Sequence, residues 1–109
     1  MIYSEREQLY KRVRNATSNT AVKLKCVEEV GELIKELSSI QCELLKGREV
    51  KRELIENTAD EVADLFVTLE NVTGENIDYL VGKRMNFKVN RLEKRYRDGE
   101  LTKNMIGLK

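Results

Sequence analysis

Apolar residues recur at intervals of three and four along most of the chain, and period-two alternation never persists long enough to propose a strand. Val27, Val30, Ile34, Leu37 and Leu44 keep the 3.6-residue spacing of a helix and predict one over about 20–46. Leu54, Val62, Leu65, Phe66 and Leu69 predict a second over about 50–72, with these side chains inward. Ile77, Leu80, Val81, Met85, Val89, Leu92 and Tyr96 predict a third over about 75–97. A shorter helix over 4–15 precedes them, opened by "SERE", where Ser4 and Glu7 have the spacing of a capping box.

The punctuation agrees with these bounds. "NATSNT" (15–20) supplies breakers, and Ser18 or Thr20 is the N-cap of the next helix. Gly47, Gly74 and Gly99 stand where helix-ending glycines belong, and proline is absent, so nothing interrupts the long segments. The expectation is an all-α single domain over 1–109: one short helix and three long ones in a four-helix bundle-like array, with a tail over 98–109. The apolar stripes are wide for a free monomer, and Leu101, Met105, Ile106 and Leu108 in the tail need a surface to cover. A homodimer or homotetramer is expected.

Composition narrows the chemistry. Hydrophobic residues at 40% and charged residues at 36% exclude a disordered chain, and no apolar run approaches the roughly 20 residues of a bilayer span. "MIYSEREQLYKRVR" lacks the apolar core of a secretory signal, so a cytoplasmic location with no membrane partner is expected. Cys26 and Cys42 lie sixteen residues apart on one predicted helix. That separation is roughly 24 Å, beyond disulfide reach, so both should be reduced. There is no histidine. Triads, Cys–His dyads and most zinc sites are thereby excluded, which leaves carboxylates, lysines, amides and a hard metal.

Two segments carry more acid than a core-bordering helix needs. "KCVEEVGELIKEL" (25–37) contains Glu28, Glu29, Glu32 and Glu36, and "NTADEVADLF" (57–66) contains Asp60, Glu61 and Asp64. Glu29 and Glu32 are an i, i+3 pair on one helical face, and Glu61 and Asp64 form the same pair on the next helix. Four carboxylates brought together repel one another, and a divalent cation removes that cost. Oxygen donors alone point to Mg²⁺, with Mn²⁺ as a substitute. The competing reading is a pair of solvated helix faces laced by i, i+4 pairs. Gly31 costs helix propensity of ~1 kcal/mol against alanine, which makes sense where another backbone or a ligand approaches closely. From Lys83 to Arg97 seven basic residues face one acid, Glu93, which suits an anionic ligand or a nucleic-acid face.

"EEVGEL" followed by "DEVADL" resembles the MazG-like all-α nucleoside triphosphate pyrophosphohydrolases. The shared pattern is an E-x-x-E pair on one helix and an E-x-x-D pair on the next, here Glu29-x-x-Glu32, twenty-eight residues, then Glu61-x-x-Asp64. The resemblance spans about residues 20–97. It implies an enzyme in which Glu29, Glu32, Glu61 and Asp64 ligate Mg²⁺ that grips a (d)NTP. Water activated by the metal would attack the α–β linkage, releasing (d)NMP and pyrophosphate. Glu32 and Glu61 then belong to the catalytic set, and Glu28 either orients the water or caps the outer shell. Lys25 resembles a phosphate-contacting lysine of the family, though pairing with Glu28 or Glu29 explains it equally well. Lys83, Asn86 and Asn90 share a face of the last helix and would bind phosphate or sugar, with Lys88 and Asn90 as another register. Phe87 or Tyr96 is available to stack on a base, although core packing accounts for either. The gap between the acidic pairs is long for the family, and there is no tryptophan for base stacking.

Two rivals remain: a non-catalytic helical module that binds nucleic acid through residues 83–97, and an inactive relative serving as an interaction subunit. A ferritin-like dimetal oxidase is rejected, because it needs Glu-x-x-His repeats.

Overall fold

In a computed structural model that describes residues 1–100, and Asn19 by its backbone only, the chain is all-helical. The elements are α1 (Tyr3–Ala16), α2 (Asn19–Leu45), α3 (Arg52–Thr73) and α4 (Ile77–Arg97). The chain divides into two compact units, Met1–Ile77 and Asp78–Lys109; the first holds α1, α2 and α3, and the second holds α4 after its first residue. The tail side chains Leu101, Met105, Ile106 and Leu108 lie outside the described residues. No helix among the described residues is long and apolar enough to cross a membrane.

Helix ends follow local chemistry. The Ser18 hydroxyl accepts from the Ala21 amide at 3.0 Å, the N-cap expected of α2. Removing it, as Ser18→Ala, should cost ~1 kcal/mol in a urea unfolding titration, whereas Ser18→Asp should retain stability. Gly47 and Gly99 adopt φ near +70°, and their neighbours complete the double hydrogen bond of a Schellman ending. At α2 that means Gly47 N–H to the Leu44 carbonyl and Arg48 N–H to the Glu43 carbonyl.

One expected cap is corrected. α1 starts at Tyr3 and no side chain caps it, so Ser4 lies inside the first turn and "SERE" is not a capping box. The Ile2 carbonyl, which accepts from the Glu5 and Arg6 amides, begins the helix one residue early.

α2 and α3 form an antiparallel hairpin. The Glu43 end of α2 meets Leu54 and Asn57, and the Val22 end meets Thr68 and Asn71. The seam on α2 runs through Val22, Cys26, Glu29, Leu33, Glu36, Ile40 and Glu43, the least exposed positions of that helix. This moves the expected core by one residue. Val27, Val30, Ile34, Leu37 and Leu44, the stripe that marked α2 as buried, all remain exposed, Val27 at 70% and Ile34 at 57%. Within the first unit α2 packs on α3, and it turns its mixed stripe, not the more apolar one, to that helix. Both cysteines are free, as their spacing required.

α1 docks on the far end of the hairpin through a polar clamp. The Arg6 guanidinium grips both carboxylate oxygens of Glu70, Nε to Oε1 at 3.0 Å and Nη2 to Oε2 at 3.2 Å. The Tyr10 hydroxyl donates to the same Oε1 at 2.7 Å. Arg14 donates to the Asn71 carbonyl at 2.7 Å, and Tyr3 to the Gly74 carbonyl at 2.9 Å. Glu70 is 2% exposed, a buried carboxylate whose charge is fully met.

Candidate metal centre

Three of the acids singled out in the sequence come together where α2 crosses α3. Glu29, Glu32 and Glu61 each offer a carboxylate oxygen, and these oxygens lie within 4.8 Å of one another. The i, i+3 spacing places Glu29 and Glu32 on adjacent turns of α2, and the antiparallel packing of α3 supplies Glu61 opposite them. Glu29 sits on the seam itself and is only 4% exposed; Glu61 is half-buried and Glu32 faces the solvent side.

The electrostatics are those of an uncompensated site. Glu29 Oε2 and Glu61 Oε2 are buried without a hydrogen-bond partner. A buried carboxylate oxygen with nothing to accept from is costly, and native structures rarely keep one without a reason. Burial comes first among the causes that hold the Glu61 carboxyl above its usual range, followed by its hydrogen bond with Glu32 and the charges of Glu32, Asp64 and Glu29. Among the described residues the cation paired with these acids is Lys25, whose Nζ lies 3.0 Å from Glu29 Oε1 and 3.4 Å from Glu28 Oε1. Lys25 therefore answers one oxygen of Glu29 and leaves the other orphaned.

The donor set fits a hard divalent cation. Three carboxylates with two orphaned oxygens, and no imidazole in the chain, are what Mg²⁺ or Mn²⁺ accepts. Glu29, Glu32 and Glu61 would hold it, leaving further positions to solvent or to an anionic ligand.

The remaining expected residues fall into three groups. Asp64 follows Glu61 by one turn and lies close enough to raise its proton affinity, yet it stands outside the three-oxygen cluster. Glu28 is exposed and engaged with Lys25, so it belongs to the rim. Lys83, Asn86 and Asn90 are all exposed on α4, where the Lys83 ammonium lies 5.3 Å from the centre of the Tyr79 ring.

Sequence reasoning missed what lies next to this cluster. A cavity of about 330 Å³ opens between α1, α2 and α3, lined by Leu9, Tyr10, Val13, Val22 and Val67, with Lys25 also in its wall. Neither the cavity nor the Arg6–Tyr10–Glu70 clamp has a local signal, because the partners are 60 or more residues apart. Compared with family models, with curated protein sequences and with solved structures, the chain gives no match.

Proposed function

We propose that the chain is a Mg²⁺-dependent nucleoside triphosphate pyrophosphohydrolase, cleaving (d)NTPs between the α and β phosphates to (d)NMP and pyrophosphate. The observation that carries this reading is the pair of orphaned oxygens, Glu29 Oε2 and Glu61 Oε2, within a three-carboxylate cluster. The resemblance of Glu29-x-x-Glu32 and Glu61-x-x-Asp64 to the MazG-like pattern supplies the reaction. A bound Mg²⁺ contributes positive charge toward the phosphates and makes water a better nucleophile near neutral pH.

The protein's own groups have separate tasks. Glu29, Glu32 and Glu61 gather the cation, and Asp64 completes the set from the next turn. Glu28 supports Lys25 at the rim. Lys25, paired with Glu29 here, would be the residue to meet a phosphate oxygen if Glu29 held a cation. Lys83, Asn86 and Asn90 are the α4 groups assigned to phosphate or sugar. In this reading the protein is cytoplasmic and works as a homo-oligomer.

Incubation with canonical NTPs and dNTPs, with and without Mg²⁺, should release pyrophosphate and not orthophosphate. Glu61→Ala and Asp64→Ala should each lower the rate by at least about 100-fold. Failure of every nucleotide to turn over, together with no Mg²⁺ binding by calorimetry, would remove the hydrolase. The basic α4, which buries no residue, would then favour the second reading, a nucleic-acid-binding module with steep salt dependence.

A further inference from the structure

Lys25 holds two acids of unlike surroundings with one ammonium. It precedes Glu28 by three residues and Glu29 by four, so both carboxylates are within its reach on one side of α2. Its Nζ lies 3.0 Å from Glu29 Oε1 and 3.4 Å from Glu28 Oε1. The Glu29 side chain is 5% exposed and that of Glu28 is 58% exposed. A buried carboxylate without a positive partner is costly, whereas an exposed one is solvated by water. The pair with Glu29 therefore matters to the fold, and the pair with Glu28 adds little of its own.

The carboxylate that needs Lys25 is also a member of the three-acid cluster. Glu29, Glu32 and Glu61 bring their oxygens within 4.8 Å of one another, and Glu29 Oε2 is buried without a partner while its Oε1 takes the ammonium. A divalent cation gathered by the cluster and the Lys25 ammonium would draw on the same negative charge. Two positive centres served by one carboxylate repel, and each weakens the hold of the other. Lys25 has somewhere to go: Glu28 is the adjacent residue, it already touches the ammonium, and the flexible four-carbon stem moves between the two by side-chain rotation alone.

We infer that Lys25 is a built-in counter-ion of Glu29 that competes with a divalent cation for this carboxylate, with Glu28 as the acid that keeps the ammonium when the cation binds. The inference rests on the cation-binding part of the proposed function and on neither the nucleotide nor the reaction. It assigns the three residues separate effects on the empty and the loaded site. Lys25 stabilises the metal-free protein, because it meets a charge that would otherwise be buried and unpaired. The same ammonium lowers the affinity of the site for a cation, and Glu28 moderates that penalty.

Calorimetric titration of the full chain with MgCl₂ and, separately, with MnCl₂, at fixed pH and ionic strength, measures the competition. Lys25→Met keeps most of the stem and removes the charge, and it should tighten cation binding by at least ~10-fold. Lys25→Arg, which retains the charge, should stay within about threefold of the wild type. Glu28→Gln should weaken binding, and by more when Lys25 is present than in the Lys25→Met background. Thermal unfolding reads the other half: Lys25→Met should melt below the wild type in EDTA, and saturating Mg²⁺ should shrink the difference. Binding by Lys25→Met that is no tighter than wild type overturns the inference and leaves the metal centre standing. Equal melting of the two proteins in EDTA overturns it as well, and an equal loss from Glu28→Gln in both backgrounds removes Glu28 from its part. Failure of both wild type and Lys25→Met to bind either cation overturns the inference and the metal centre together.

Discussion

Glu61→Gln is expected to stabilise the metal-free protein at neutral pH and to abolish its response to Mg²⁺. The Glu61 carboxyl is held above its ordinary value of 4.5 by burial, by its hydrogen bond with Glu32 and by the charges of Glu32, Asp64 and Glu29. A raised carboxyl binds its proton more tightly folded than unfolded. Its contribution to stability is therefore complete below pH 4.5 and is lost as pH rises through the folded value. Metal-free wild type should accordingly lose stability over that interval, and Glu61→Gln should not.

Mg²⁺ or Mn²⁺ at one hundred times its dissociation constant should restore the wild type by about 2.7 kcal/mol. For a chain of this size that raises the melting temperature by roughly 10–20 °C. Thermal unfolding by circular dichroism, in EDTA and in Mg²⁺ across pH 4.5–8, measures both effects. A variant that kept the wild-type metal shift would show that Glu61 is no ligand.

The second large effect concerns how α1 is held. Glu70→Ala should cost on the order of 3 kcal/mol, because it strands the Tyr10 hydroxyl and the Arg6 guanidinium against a buried surface. Urea unfolding gives the loss, and hydrogen exchange should place it in α1, whose amides lose protection first. Unchanged protection in α1 would mean that its apolar side chains dock it without the clamp.

The triple change Arg6→Met, Tyr10→Phe, Glu70→Leu should recover most of the loss, since replacing a whole buried ionic group by packed apolar residues is close to neutral. The same clamp predicts an alkaline limit. Burial and the bond to Glu70 push the Tyr10 hydroxyl from 10.0 up to about 12. Its contribution is complete below pH 10 and disappears as pH rises through about 12, and Tyr10→Phe should remove that limb.

Expected and observed features diverge in an orderly way. Helix ends were legible where the deciding bond is local: Ser18 reaches Ala21, three residues on, and Gly47 ends α2 by a conformation that glycine adopts freely. "SERE" misled because a capping box competes with any carbonyl able to begin the helix, and Ile2 supplies one. Glu29, Glu32 and Glu61 were named from i, i+3 spacing within each helix. Their meeting across two helices depends on the hairpin register, which no local pattern contains.

By itself, the sequence determined the all-helical state, the four segments and their stops, the lack of a disulfide between Cys26 and Cys42, and the absence of histidine from the chemistry. These follow from side-chain periodicity, backbone preference and residue inventory, all short-range properties. Tertiary structure alone decided which stripe of α2 meets α3. It thereby decided that Val27, Ile34 and Leu37 stay off that seam, that Glu29 is buried with an orphaned oxygen, and that Glu70 becomes the anchor of α1. The physical reason is that a helix with apolar or mixed residues on two adjacent stripes offers two possible seams. The choice between them rests on the shape and charge of a neighbour distant in the chain.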